Sequence, residues 1–235
     1  MADPADPVAL KDAKPRIDFD IGNIDPDRPT RFWKTCWMVA RFVAIVFFDL
    51  KTYGAKHVPR TGGALLLTNH QSYLDPVMFG VNLPRSLSYL AKSELFRNPV
   101  FRWLISNLHA FPVRQGRGDK AAIEETIRRL REGHLLNVYP EGSRTEDGEI
   151  GPIQRGVALV LKRASVPIVP AVIDGSFQAW PKGEQIFRSR PVRVLYGKPI
   201  LVEGLKGDQI VELVDRTLRK MLADLRAGRI QPYLT

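Results

Sequence analysis

Residues 64–76 read ALLLTNHQSYLDP, and this stretch decides the fold. Ala64 to Thr68 form an unbroken, mostly apolar run, the pattern of a short strand buried on both faces. Asp75 and Pro76 then open a helix to about Val81, because Asp suits an N-cap and Pro the first helical position. Between strand and helix stands a polar turn with His70 at its start. In an α/β sheet the carboxyl ends of strands are where ligands gather.

His70 is thus a candidate base, since imidazole changes charge near neutral pH. A carboxylate on its second ring nitrogen would fix the tautomer and stabilise the protonated form. Asp75, five residues on, does not share a straight helix face with His70, but a turn ending at the Asp-Pro helix start can bring them together. The competing reading keeps Asp75 as a helix cap only.

Outward from this unit, strand and helix alternate. Strands are expected at Ser86–Leu90, Ala110–Val113, Leu135–Tyr139, Ile168–Ile173 and Val192–Tyr196. Pro170 argues that the strand carrying it is an edge or irregular one. Helices are expected from Asn98-Pro99 onward, over Asp119–Glu132, over 153–165 and over Asp208–Arg226. The Asp119–Glu132 helix has an apolar stripe of Ala122, Ile123, Ile127 and Leu130 and stops at Gly133. The expected fold class is α/β: a mixed, largely parallel sheet surrounded by helices, preceded by an N-terminal membrane-associating helix.

That first helix lies in residues 29–50. From Cys36 to Phe48 only Arg41 is not apolar, and Trp33 and Trp37 lie near the start, where interfacial aromatics belong. A bilayer span needs about 20 apolar residues, so this shorter run suits a helix lying in one leaflet. A buried core helix is the alternative. Residues 1–28, rich in Asp and Pro, lack the apolar surface to order themselves and read as a flexible tail rather than a secretory signal. Residues 51–235 form the main domain.

The 235 residues suit one substantial domain, and the formal net charge of +10 favours anionic partners. Nucleic acid is set aside, for no recognition motif and no aromatic–basic interleaving is present. The single cysteine, Cys36, excludes an intramolecular disulfide. The four histidines show no metal-ligand spacing, so no metal is expected. There is no Walker loop, no dinucleotide fingerprint and no G-x-S-x-G elbow.

Two further strand-end blocks bear polar chemistry. Tyr139-Pro140-Glu141-Gly142-Ser143-Arg144 offers a glycine for close backbone approach, a forked donor for phosphate in Arg144, and Glu141 to orient it or bond a hydroxyl. A polar turn with a local ion pair is the alternative. Residues 111–119, FPVRQGRGD, place Arg114 and Arg117 among glycines before a helix start, which suits an anion site or an ordinary solvated loop. The prolines of residues 166–171, VPIVPA, would shape a wall.

In this order the blocks resemble the glycerophospholipid acyltransferase family, which includes 1-acylglycerol-3-phosphate acyltransferases, over about residues 50–200. The resemblance rests on NHQSYLD together with PEGSR. It implies that His70 deprotonates a glycerol hydroxyl, which attacks the thioester of acyl-CoA or acyl carrier protein. Asp75 would orient His70, and no acyl-enzyme forms. Glu141, Gly142, Ser143 and Arg144 match the acceptor-binding motif, with Arg144 on the glycerol phosphate. The family's second motif has an arginine immediately before the glycine; here Gln115 stands there, and Arg114 or Arg117 would reach the phosphate. The expected product is phosphatidic acid, no cofactor is required beyond the acyl donor, and the expected place is the cytoplasmic face of a membrane. Alternatives are the same chemistry on glycerol-3-phosphate, a lyso-ornithine lipid or a glycolipid, or a non-catalytic lipid-binding protein of the same fold.

Overall fold

The computed structural model describes residues 30–113 and 120–234. Seven strands form one sheet: β1 (Lys51–Tyr53), β2 (Ala64–Thr68), β3 (Leu87–Lys92), β4 (Ala110–Val113), β5 (Leu135–Val138), β6 (Ile168–Asp174) and β7 (Arg193–Tyr196). Their order is β1-β7-β6-β2-β5-β3-β4. All neighbours run parallel except β6 and β7. The sheet is therefore mixed and largely parallel, as expected.

Helices cover both faces: α1 (Arg31–Phe48), α2 (Asp75–Gly80), α3 (Pro99–Asn107), α4 (Lys120–Arg131), α5 (Gly156–Ala164), α6 (Ser176–Ala179) and α7 (Gly207–Arg226). Alternation along β2 sorts the core. Leu65 and Leu67 join α5 and α7 through Val157, Leu161, Val214 and Leu218. Ala64 and Leu66 join the opposite layer, where Ala44 and Phe48 of α1 meet Met78 and Phe79 of α2. Five fully buried residues in β2 need two apolar faces, which is why the strand shows no polar alternation.

Of the two readings of the Pro170 strand, the edge one is corrected; the irregular one holds, since beyond Gly197 the partner segment meets β6 only at an isolated Ile168–Ile200 bridge. β6 lies inside the sheet, between β7 and β2. Its pairing with β7 runs from Ala171–Tyr196 to Asp174–Arg193, so the proline stands one residue outside that ladder. The Gly197 N–H donates to the Pro170 carbonyl at 2.8 Å, and the missing proline N–H falls where β7 has ended. A proline is tolerated in an interior strand where its nitrogen faces no continuing partner.

α1 divides its residues between two environments. Ala44 and Phe48 are buried in the core, whereas Met38, Val39, Phe42, Ile45, Val46 and Phe47 are exposed. Among the described residues no helix is long and apolar enough to cross a membrane.

Candidate active site

The parallel strands β2 and β5 end side by side, with Leu67 opposite Val138. The two polar blocks that follow them therefore meet. The Nδ1 of His70 lies 2.8 Å from Oδ2 of Asp75. The same oxygen accepts the backbone N–H groups of Gln71 at 2.6 Å and Ser72 at 2.7 Å, and Oδ1 accepts the Ser176 hydroxyl at 2.6 Å. Asp75 is completely buried, and these donors replace its hydration. A carboxylate oxygen only accepts, so this contact calls for a proton on His70 Nδ1, the tautomer in which a neutral imidazole has its lone pair on Nε2.

This geometry corrects one sequence inference. Asp75 opens α2 as its first residue and Leu74 is the N-cap, without a side-chain bond. The Asp75 side chain turns back to close the His70 turn instead of capping the helix. The five-residue separation works because the chain bends between the two residues.

His70 is fixed along its backbone as well. Its N–H donates to Glu141 Oε1 at 2.8 Å, and its carbonyl accepts the Thr145 N–H at 2.8 Å. Glu141 Oε2 accepts the Gly151 N–H at 2.7 Å. Glu141 thus ties the loop of residues 139–151 to the His70 turn. Burial pushes its carboxyl above the ordinary value of 4.5, against the two backbone hydrogen bonds. The Tyr139 ring stacks on the His70 imidazole, with centroids 3.8 Å apart and planes 15° from parallel.

Gly142 and Ser143 are exposed at the turn, where Gly142 adopts φ +73°, a left-handed conformation that favours glycine. The Arg144 guanidinium lies 3.4 Å from the centroid of the Tyr73 ring. Its Nη1 is buried without a hydrogen-bond partner. A desolvated cationic donor with spare capacity is a receptor for an anionic oxygen. The expected local pairing of Glu141 with Arg144 does not occur; each has other contacts. Arg114, Gln115 and Arg117 lie outside the described residues.

Several supporting residues escaped sequence reasoning. Ser176, after β6, supplies the fourth donor to Asp75. Asn69 bonds both the N–H and carbonyl of Ile173, fixing the His70 turn to the end of β6. Gln71 reaches the Gly148 carbonyl at 2.8 Å. For Asn69 and Gln71 the signal was their place in the polar block beside His70, but their partners stand 104 and 77 residues away in sequence, and Ser176 carried no local signal at all.

A histidine with its base nitrogen freed by a buried carboxylate, at the ends of parallel strands and near an underused arginine, defines an α/β site suited to proton abstraction from a polar acceptor. The chain belongs to the acyltransferase family, whose model matches residues 49–174. It is 27% identical over 169 residues to the 1-acyl-sn-glycerol-3-phosphate acyltransferase of Bacillus subtilis, covering 72% of this chain and 82% of that protein. It is 31% identical over 178 residues to the human 1-acyl-sn-glycerol-3-phosphate acyltransferase alpha, covering 74% of this chain and 62% of that one. It spans about half, 48%, of the chloroplastic relative BAT2 of Brassica napus. The crystal structure of the 1-acyl-sn-glycerophosphate (LPA) acyltransferase, PlsC, from Thermotoga maritima shares the fold, with a TM-score of 0.71, 23% identity, and coverage of 83% of this chain and 81% of that one.

Proposed function

We propose that the protein transfers a fatty acyl group from acyl-CoA or acyl carrier protein to the free hydroxyl of 1-acylglycerol-3-phosphate, giving phosphatidic acid. The observation that carries this reading is the 2.8 Å contact between His70 Nδ1 and Asp75 Oδ2, which leaves Nε2 as the base. Relatives named for this reaction support the choice of acceptor.

The acceptor hydroxyl gives its proton to His70 Nε2 as its oxygen attacks the thioester carbonyl. The carbonyl π electrons move to oxygen, giving a tetrahedral intermediate. Collapse re-forms the carbonyl and expels the thiolate, which takes the proton from His70. Asp75 stabilises the imidazolium through both steps. Base assistance of this kind contributes about 10²–10⁴ in rate. Arg144, with its unpartnered Nη1, holds the acceptor phosphate. Gly142 and Ser143 shape the exposed turn at the acceptor site, and Glu141 holds that turn against His70. Arg114 and Arg117 provide further phosphate contacts. The acyl donor is the only other small molecule required.

Residues 29–50 act as the membrane-associating element and residues 51–235 as the acyltransferase domain, placed on the cytoplasmic face. The exposed apolar face of α1 supports this, as does a groove lined by Trp33, Lys34, Trp37, Arg41 and Arg60. Tryptophan beside lysine and arginine is the composition of a headgroup boundary.

The test is acyl transfer by wild type and His70→Ala, with both donor types and a panel of 1-acylglycerol-3-phosphate, glycerol-3-phosphate, lyso-ornithine lipid and glycolipid acceptors. Phosphatidic acid as the main product, lost in the variant while folding is retained, is the expected result. An equally active His70→Ala overturns the mechanism, and a different preferred acceptor overturns the substrate.

A further inference from the structure

We infer that the loop of residues 181–191, PKGEQIFRSRP, is a second membrane-docking element, which inserts Ile186 and Phe187 into an anionic bilayer beside α1. This rests on the reading of α1 as the membrane-associating helix. Ile186 is 76% exposed and Phe187 48%. Single exposed apolar residues are ordinary, but this pair adjoins the C-terminal end of α1, where Ile45, Val46 and Phe47 are exposed. The Phe187 ring lies 5.8 Å from that of Phe48 at the end of α1, and the Ser189 hydroxyl donates to the Phe47 carbonyl.

The loop backbone that carries the pair is pinned by its surroundings. The Trp180 indole N–H donates to the Glu184 carbonyl at 2.8 Å, and the Arg188 N–H to the Ala179 carbonyl at 2.7 Å. The Val192 N–H closes the loop on the Phe48 carbonyl at 2.8 Å. Apolar side chains presented by so fixed a backbone suit insertion.

Charge selects a lipid surface as the occupant. The loop carries Lys182, Arg188 and Arg190 against the single acid Glu184. Lys182 pairs with Glu146 and Arg188 lies 3.8 Å from Glu184, both pairs being largely exposed. Arg190 is exposed. Cations flanking an apolar pair match anionic headgroups above acyl chains.

Topology ties the loop to the site. Because β7 runs against β6, the loop before β7 lies at the sheet end where β2 delivers His70. Aromatic contacts span the distance: Phe187 to Trp180 at 6.1 Å, Trp180 to Tyr73 at 5.4 Å, and Tyr73 under Arg144. The Ser72 hydroxyl also donates to the Trp180 carbonyl at 2.7 Å. Docking here would set the active-site mouth against the bilayer holding the lipid substrate.

The experiment is flotation of the full chain with phosphatidylcholine vesicles, with and without phosphatidylglycerol, for wild type, Ile186→Asp/Phe187→Asp, Arg190→Glu and Phe42→Asp on α1. Thermal unfolding and size-exclusion chromatography accompany it. The double loop variant should bind phosphatidylglycerol vesicles about tenfold more weakly or worse while still unfolding cooperatively, its melting point lowered only by the lost Phe48 and Trp180 contacts. Arg190→Glu should weaken binding only where phosphatidylglycerol is present. If Phe42→Asp detaches the protein while the loop variant floats like wild type, the loop inference fails and the α1 reading stands. If neither variant matters, both fail. A loop variant that dissociates an oligomer without altering flotation assigns the face to a second copy and overturns the inference.

Discussion

Glu141 Oε1 accepts the backbone N–H of His70 at 2.8 Å, across 71 positions of sequence. The acidic residue of the second polar block therefore serves the first: it fixes the turn that presents the imidazole. With Gly151 on its other oxygen, the one carboxylate joins both ends of the 139–151 loop to the His70 turn.

Glu141→Gln keeps one acceptor oxygen and sets an amide NH2 against the other backbone donor. We expect it to lower stability by about 1–3 kcal/mol, read from urea unfolding. The deficit should shrink as pH rises. Burial raises the Glu141 carboxyl above 4.5, so its protonation favours the folded state at low pH and that contribution fades as pH passes the raised value. Glutamine has no such titration. A deficit that grows with pH would contradict this account.

Asp75→Asn keeps one acceptor oxygen but loses the carboxylate charge that stabilises the His70 imidazolium, and its NH2 must face either His70 Nδ1, Gln71 and Ser72 or the Ser176 hydroxyl. Activity should fall by about 10²–10⁴, chiefly in kcat. Ser176→Ala removes one donor and leaves the His70 contact in place. Its loss should be smaller, about tenfold or less. Steady-state kinetics on both variants checks the order.

Arg144→Lys retains charge but loses the planar fork and its stacking on Tyr73. KM for a phosphate-bearing acceptor should rise about tenfold, with kcat little changed. Stability should fall by no more than about 1 kcal/mol, the worth of the Tyr73 contact, since Nη1 bonds nothing in the free protein. An unchanged KM would remove Arg144 from acceptor binding.

His109 provides a pH test of stability away from the site. It is buried, neither ring nitrogen has a partner, and burial, then the charges of His134 and Arg129, holds its pKa down at about 4, against 6.5 ordinarily. The unfolded chain thus binds its proton first. Stability is full above 6.5 and declines as pH falls toward 4, by up to about 3 kcal/mol from this residue. His109→Asn should flatten that decline, and asparagine tolerates the left-handed φ of +64° at this position. Equal acid sensitivity in unfolding experiments on the two proteins would refute the assignment.

Local pattern revealed much of the fold because each strand is short, apolar and bounded by helix signals. ALLLT appears as β2 at the expected residues, and in the expected C-terminal helix Ile210, Val214, Leu218 and Met221 are buried. The edge reading of the Pro170 strand failed because a proline's tolerance depends on what faces its nitrogen. Here β7 has already ended there. β1 was missed because three residues, partly exposed, carry no periodic signal.

The sequence by itself determined that a histidine follows a buried strand, that a carboxylate stands within reach of one turn, and that a glycine and an arginine follow another strand. Such facts live within a few residues, where apolar runs and turn residues act directly. What these groups do to one another follows from the way the strands are aligned in space. That alignment chose between the two readings of Asp75, placing its side chain on His70 and not on the helix end, gave Glu141 to the backbone N–H groups of His70 and Gly151, and brought in Ser176. The reason is register: aligning Leu67 with Val138 and Pro170 sets which distant loops share a strand end, and no local spacing encodes that alignment.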